Sequence, residues 1–92
     1  MNTAKKGAYY ENRSIEIYEA KGFTCIRAAG SKGAWDFWAV RKNELHFVQV
    51  RFGRFPGPAA RRMLAKTPPS AIATRVLHRW MPRAQAPDVR YV

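Results

Sequence analysis

Two hydrophobic periods alternate along the chain. From about residue 8 to residue 21, positions 11, 14, 15 and 18 (Glu11, Ser14, Ile15, Tyr18) recur at i, i+3, i+4 and i+7 and form one helical stripe, widened by Tyr9, Tyr10 and Ile17. Lys5, Lys6 and Gly7 read as a lead-in to that helix, and Gly22 as its stop. Residues 23–27 read as a strand. Two apolar runs, 35–40 and 45–50, flank a short polar break and predict a β-hairpin. A two-residue loop at Lys42-Asn43 places Asp36 opposite Gln49, and alternation puts Gln49 and Arg51 on one face. Glycines and prolines break the pattern over 52–58. A short helix is expected over 58–66, with Pro58 in its first turn. Residues 71–80 alternate as a strand, with Ile72, Thr74, Val76, His78 and Trp80 on one side and Arg75 and Arg79 on the other. A loop over 81–87 leads to a final edge strand, 88–92.

The order helix, three strands, helix, two strands (αβββαββ) specifies an α/β fold with a mixed central β-sheet flanked by helices. The second helix supplies a right-handed crossover between parallel strands. With 92 residues the expectation is a single domain, 1–92, with a modest core. One cysteine and two separated histidines exclude a disulfide or zinc framework, and Cys25 reads as a buried thiol. The N-terminal MNTAKKGAYY lacks an apolar signal core and no apolar run approaches a membrane span, so the expected location is cytoplasmic, away from membranes.

Charge changes the picture more than composition does. Seventeen Lys and Arg against six Asp and Glu give +11, which points to a polyanion, nucleic acid first. Eight of the cations follow Arg51, with Asp88 the only acid there. Carboxylates repel phosphate, so those kept at converging positions call for a reason such as a metal ion. Asp36 sits inside an apolar run and Glu11 on the helical stripe. Purely structural readings stand beside this one. Asp36 can pair with Arg51, Glu11 with Arg13 or Lys6 at the helix start, and Gln49 can be an ordinary strand amide. The stretch 28–34 is small, flexible and basic and admits a phosphate to its backbone, but lacks P-loop spacing. The aromatics around the hairpin suit core and dimer packing, with base stacking open to Trp35 or Trp80.

Lys6-Gly7, Glu11-Asn12-Arg13, Gly22-Phe23, Arg27, Ala29-Gly30-Ser31, Ala34-Trp35-Asp36, Ala39 and Val48-Gln49-Val50-Arg51 together resemble the PD-(D/E)XK nuclease superfamily. The closer similarity is to archaeal-type and phage Holliday junction resolvases, over about residues 5–52. The resemblance implies a small restriction-endonuclease-like domain and a homodimer that cuts branched DNA, such as four-way junctions, with Mg2+ or alternatively Mn2+. It implies Asp36 as central metal ligand, Glu11 as a ligand from the helix, Gln49 in the place usually held by Glu, and Arg51 in the place of the catalytic Lys. Arg27 and Ser31 match residues that contact the scissile region or backbone. Lys5, Lys6, Lys32, Arg54, Arg61 and Arg62 complete the expected DNA-binding set.

Gln49 removes a negative charge from a site for a hard cation, and Arg51 stays charged and makes a poor general base. Three readings follow: a metal-dependent junction endonuclease, a nuclease-fold DNA-binding protein with weakened or lost cleavage, and a small basic structural protein. The apolar face of the hairpin or of the last two strands is the expected dimer surface.

Overall fold

A computed structural model describes the backbone of residues 3–28 and 34–92 and the side chains of 6–28 and 34–92. Its elements are α1 (Thr3–Ala20), β1 (Thr24–Arg27), β2 (Phe37–Arg41), β3 (Glu44–Phe52), α2 (Pro58–Leu64), β4 (Ala73–Trp80) and β5 (Asp88–Tyr91). They form a five-stranded sheet in the order β1-β2-β3-β4-β5. All neighbours are antiparallel except β3 and β4, which are parallel across the α2 connection. The expected α/β element order is therefore realised.

The hairpin register is the expected one: Arg41 pairs with Glu44 and Phe37 with Val48. Lys42 takes a positive φ of 50° in the turn, the handedness that two-residue hairpin loops require. Helix α1 begins earlier than the stripe predicts. Ala4, Lys5 and Lys6 are strong helix formers, and Gly7 is tolerated with open space around its Cα. Its end is a Schellman motif. Gly22 sits at φ +88°, its N–H donates to the Glu19 carbonyl, and the Phe23 N–H donates to the Tyr18 carbonyl. The accompanying apolar contact is the edge-to-face pair of Tyr18 and Phe23, 5.0 Å between ring centres.

Pairing across the sheet sorts the core into two layers. Phe37, Ala39, Val48 and Val76 face α1 and pack with Tyr18, Phe23 and Ile15. Trp35, Phe47 and Leu77 face α2 and pack with Leu64. The side of β4 bearing Arg75 and Arg79 is thus not a solvent face, because Leu77 between them is fully buried. Helix α2 is too short to cover the whole second face. It leaves Ile26, Trp38 and Val40 on β1 and β2 exposed. Trp35 and Trp80 are both buried, at 4% and 0% exposure, which removes them as base-stacking platforms. Cys25 is half-buried against the Ile15 carbonyl, and burial together with Glu19 pushes its thiol pKa up, so it is no reactive thiolate.

One polar cluster lies in the α1 layer. Ser14 is fully buried, and its hydroxyl accepts from Trp80 Nε1 at 2.8 Å and lies 3.0 Å from His78 Nδ1. With Trp80 donating, the serine O–H is free to donate to Nδ1, which suits a neutral His78. Burial, with Lys21 and His46 adding to it, lowers the His78 pKa to about 4. The unfolded chain therefore takes up a proton between pH 6.5 and pH 4 that the folded protein refuses, and stability is lost as pH falls through that window. We expect a loss on the order of 3 kcal/mol by pH 4, read by urea denaturation, with most of it absent in His78→Gln.

Candidate functional site

The site forms where β2 begins and β3 ends. Asp36 precedes β2; its N–H donates to the Val48 carbonyl, and its carbonyl accepts from Ala28. Its Oδ2 accepts from the Val50 N–H at 2.7 Å. The carboxylate so stands in for a backbone carbonyl and extends the β2–β3 ladder by one bond. Val50 lies between Gln49 and Arg51, so this bond ties the acid to both.

Gln49 turns its Nε2 to the Ala34 carbonyl at 2.9 Å. Its Oε1 is buried without a partner among the described residues. A buried acceptor left empty is costly, and a bound cation is one resolution. Arg51 is exposed, and no ion pair joins it to Asp36 among the described residues. The purely structural Asp36–Arg51 salt bridge is therefore not formed. Glu11 enters from α1 and pairs with Arg27 on β1, Nη1 to Oε1 at 2.9 Å, rather than with Arg13 or Lys6. The other Arg27 nitrogen reaches Asn12 Oδ1. Arg13 instead donates to the carbonyls of Ala84 and Gln85 and lies over Trp80.

Both carboxyls are pushed above their ordinary range. For Asp36 burial is the main cause, opposed by the Val50 N–H and the field of Arg51. For Glu11 burial comes first, then the negative field of Asp36, opposed by Arg27. Asp36 disfavours the charge on Glu11, and with the Gln49 oxygen open among the described residues these three groups could serve a divalent cation. Among the described residues no three His, Cys, Asp or Glu side chains gather, so a third ligand from this set would have to be the Gln49 amide oxygen.

The cations expected to meet DNA divide between the two faces. Lys6 lies over the Phe52 ring at 3.4 Å on the α1 side, while Arg61 and Arg62 are on α2. Arg54 and Arg62 are exposed and Arg61 is half-buried. Ser31, Lys32 and the Lys5 side chain lie outside the described residues. Sequence reasoning missed the Arg27–Glu11–Asn12 contact, for which the only local hint is Asn12 beside Glu11.

This architecture has a solved counterpart. The Holliday junction resolvase Hjc of the archaeal hyperthermophile Archaeoglobus fulgidus superposes with a TM-score of 0.70 at 20% identity, over 94% of this chain and 70% of that one. The fold is that of a Holliday junction resolvase. No protein-family model and no curated protein sequence matches the chain. At this identity the likeness speaks for the fold alone.

Because folding holds protons on Asp36 and Glu11 more tightly than the unfolded chain does, this contribution to stability is present at low pH and lost as pH rises through the raised pKa values. At neutral pH the ionised acids burden the fold. Asp36→Asn keeps an oxygen for the Val50 N–H and removes the charge. It is expected to raise Tm at pH 7 in the absence of divalent cations, as measured by circular dichroism; a lowered Tm would mean that Asp36 serves the fold alone.

Proposed function

We propose that the chain is a metal-dependent endonuclease of the resolvase type, acting on phosphodiesters in branched DNA. The observation that carries this reading is the Asp36 carboxylate bound to the Val50 N–H, next in the chain to Gln49, whose Oε1 is buried without a partner among the described residues, with Glu11 on α1 close enough to feel the charge of Asp36. The formal charge of +11 supports a polyanionic substrate.

Asp36, Glu11 and Gln49 are the residues that would hold Mg2+ or Mn2+. A cation there supplies Lewis-acid polarisation of a phosphoryl oxygen and a more acidic water. Gln49 contributes a neutral carbonyl, so the site binds a hard cation more weakly than one with three carboxylates. The exposed Arg51 would offset charge building on the phosphate oxygens. It cannot serve as the base, since a guanidinium keeps its proton. The exposed Arg54 and Arg62, with the half-buried Arg61, add affinity without reading sequence.

The Gln49 and Arg51 pair also favours a second reading, a nuclease-fold protein that binds junctions and cuts them slowly or not at all. Labelled four-way junctions with Mg2+ or Mn2+ separate the two. For the enzyme we expect cutting that Asp36→Asn abolishes, by at least about 100-fold, with junction binding retained. No cutting by the native protein, with cutting gained in Arg51→Lys/Gln49→Glu, supports the second reading. Equal affinity for any polyanion overturns both.

We also assign the exposed strip of Ile26, Trp38 and Val40 to a homodimer contact with a second copy of the chain. On that face of the sheet this strip is apolar surface that α2 leaves exposed, continuous across β1 and β2. Trp38→Glu is expected to shift the protein to a monomer in sedimentation equilibrium with its circular dichroism unchanged. A native protein that is monomeric at tens of micromolar would overturn the assignment.

A further inference from the structure

Arg27 ends β1 at the mouth of the site, and its guanidinium spans two consecutive residues of α1. One nitrogen holds Glu11 Oε1 at 2.9 Å and the other reaches Asn12 Oδ1. The side chain of Arg27 is 49% exposed and that of Glu11 24%. A carboxylate oxygen engaged by a guanidinium is a poorer donor to a cation, and the guanidinium itself repels a second positive charge. Arg27 and a metal ion thus compete for Glu11.

We propose that Arg27 is a latch on Glu11 that phosphate releases, so that DNA binding and metal binding at the site strengthen each other. The proposal rests on the metal-site reading above and adds a coupling between the two ligands. Three features of the contact support it. The pair is exposed, and exposed pairs of this kind shift an equilibrium by no more than about fivefold, so the latch opens readily. A phosphodiester offers the same planar fork two anionic oxygens, a match that arginine makes well. Asn12 occupies the second arm of the fork only through a neutral amide, so nothing charged opposes transfer of that arm to phosphate. Once Arg27 turns to the backbone of the substrate, Glu11 loses its competitor and the field of a nearby cation is relieved. By linkage, whatever factor DNA adds to metal affinity, metal adds to DNA affinity. Arg27 is then a positioning residue, acting through Glu11. The consequence is a site that takes its cation mainly when substrate is present.

The test reads metal affinity, not turnover. Mn2+ binding to the native full chain without DNA, followed by electron paramagnetic resonance, is compared with Arg27→Gln and Asn12→Ala. Asn12→Ala frees one arm of the fork while leaving the arginine available to phosphate. Arg27→Gln is expected to bind Mn2+ about two- to fivefold more tightly than the native protein, and Asn12→Ala to gain less, since its Arg27 keeps the Glu11 contact. Loss of a structural contact alone would weaken binding or leave it unchanged. In fluorescence anisotropy, Mn2+ should tighten binding of a labelled four-way junction to the native protein by a similar factor, and by less in Asn12→Ala. Native binding of Mn2+ with no gain in either variant overturns the latch and leaves the metal site standing. An absence of Mn2+ binding in the native protein and both variants overturns the metal site and the latch together.

Discussion

A two-residue turn, Lys42-Asn43, governs the far end of the sheet. It fixes the β2–β3 register, and that register sets Val50 against the carboxylate of Asp36. Side chains in a strand alternate, so a slip of one residue would send Gln49 and Arg51 to the α1 face and Val48 and Val50 to the other. The slip would expose Val48 and bury a guanidinium, so the same apolar burial that stabilises the sheet also keeps the site assembled. Asp36 depends on this doubly, because it occupies a ladder position with a side chain and needs the facing N–H to be unclaimed.

Helix α1 joins the site to the rest of the core. Its buried face runs from Glu11 at the site, through Ser14, to Tyr18 over Phe37 and His46. Ser14 is small enough to let the helix lie close, and its hydroxyl satisfies both Trp80 and His78. Losing it would leave two buried polar groups open, at about 1–3 kcal/mol each. That hydroxyl and the Schellman turn at Gly22, with the packing of Ile15 and Tyr18, hold the rotation of α1 about its axis and hence the direction in which Glu11 points.

Much of this was legible in the chain where the determinants are local. The hairpin register follows from alternation and a short turn, and the element order from periodicity and from Gly and Pro punctuation. Glu11 and Asp36 stood out because each is an acid on an apolar stretch of a basic protein. What could not be read was tertiary. The partner of Glu11 lies on a strand, and no spacing rule links a helix position to Arg27. Three tryptophans look alike in sequence, yet α1 and α2 bury Trp35 and Trp80 and leave Trp38 bare, since α2 is too short to reach β1 and β2. The extra turn of α1 was hidden because Lys5, Lys6 and Gly7 carry no apolar signal.

The arginines were the least legible residues. Arg13 holds the carbonyls of the loop before β5, Arg41 holds the end of α1 and Glu44, Arg75 holds the carbonyls of Ser70 and Pro68, and Arg79 holds Asp88. Arg79 and Arg90 also lie against Phe55. These guanidiniums act as long-armed hydrogen-bond donors that clamp loops to a small sheet. On the proposed function, a phosphate that draws on one of these arginines must compete with the carbonyl or carboxylate it already holds, so the salt dependence of binding is shallower than the formal charge of the chain suggests.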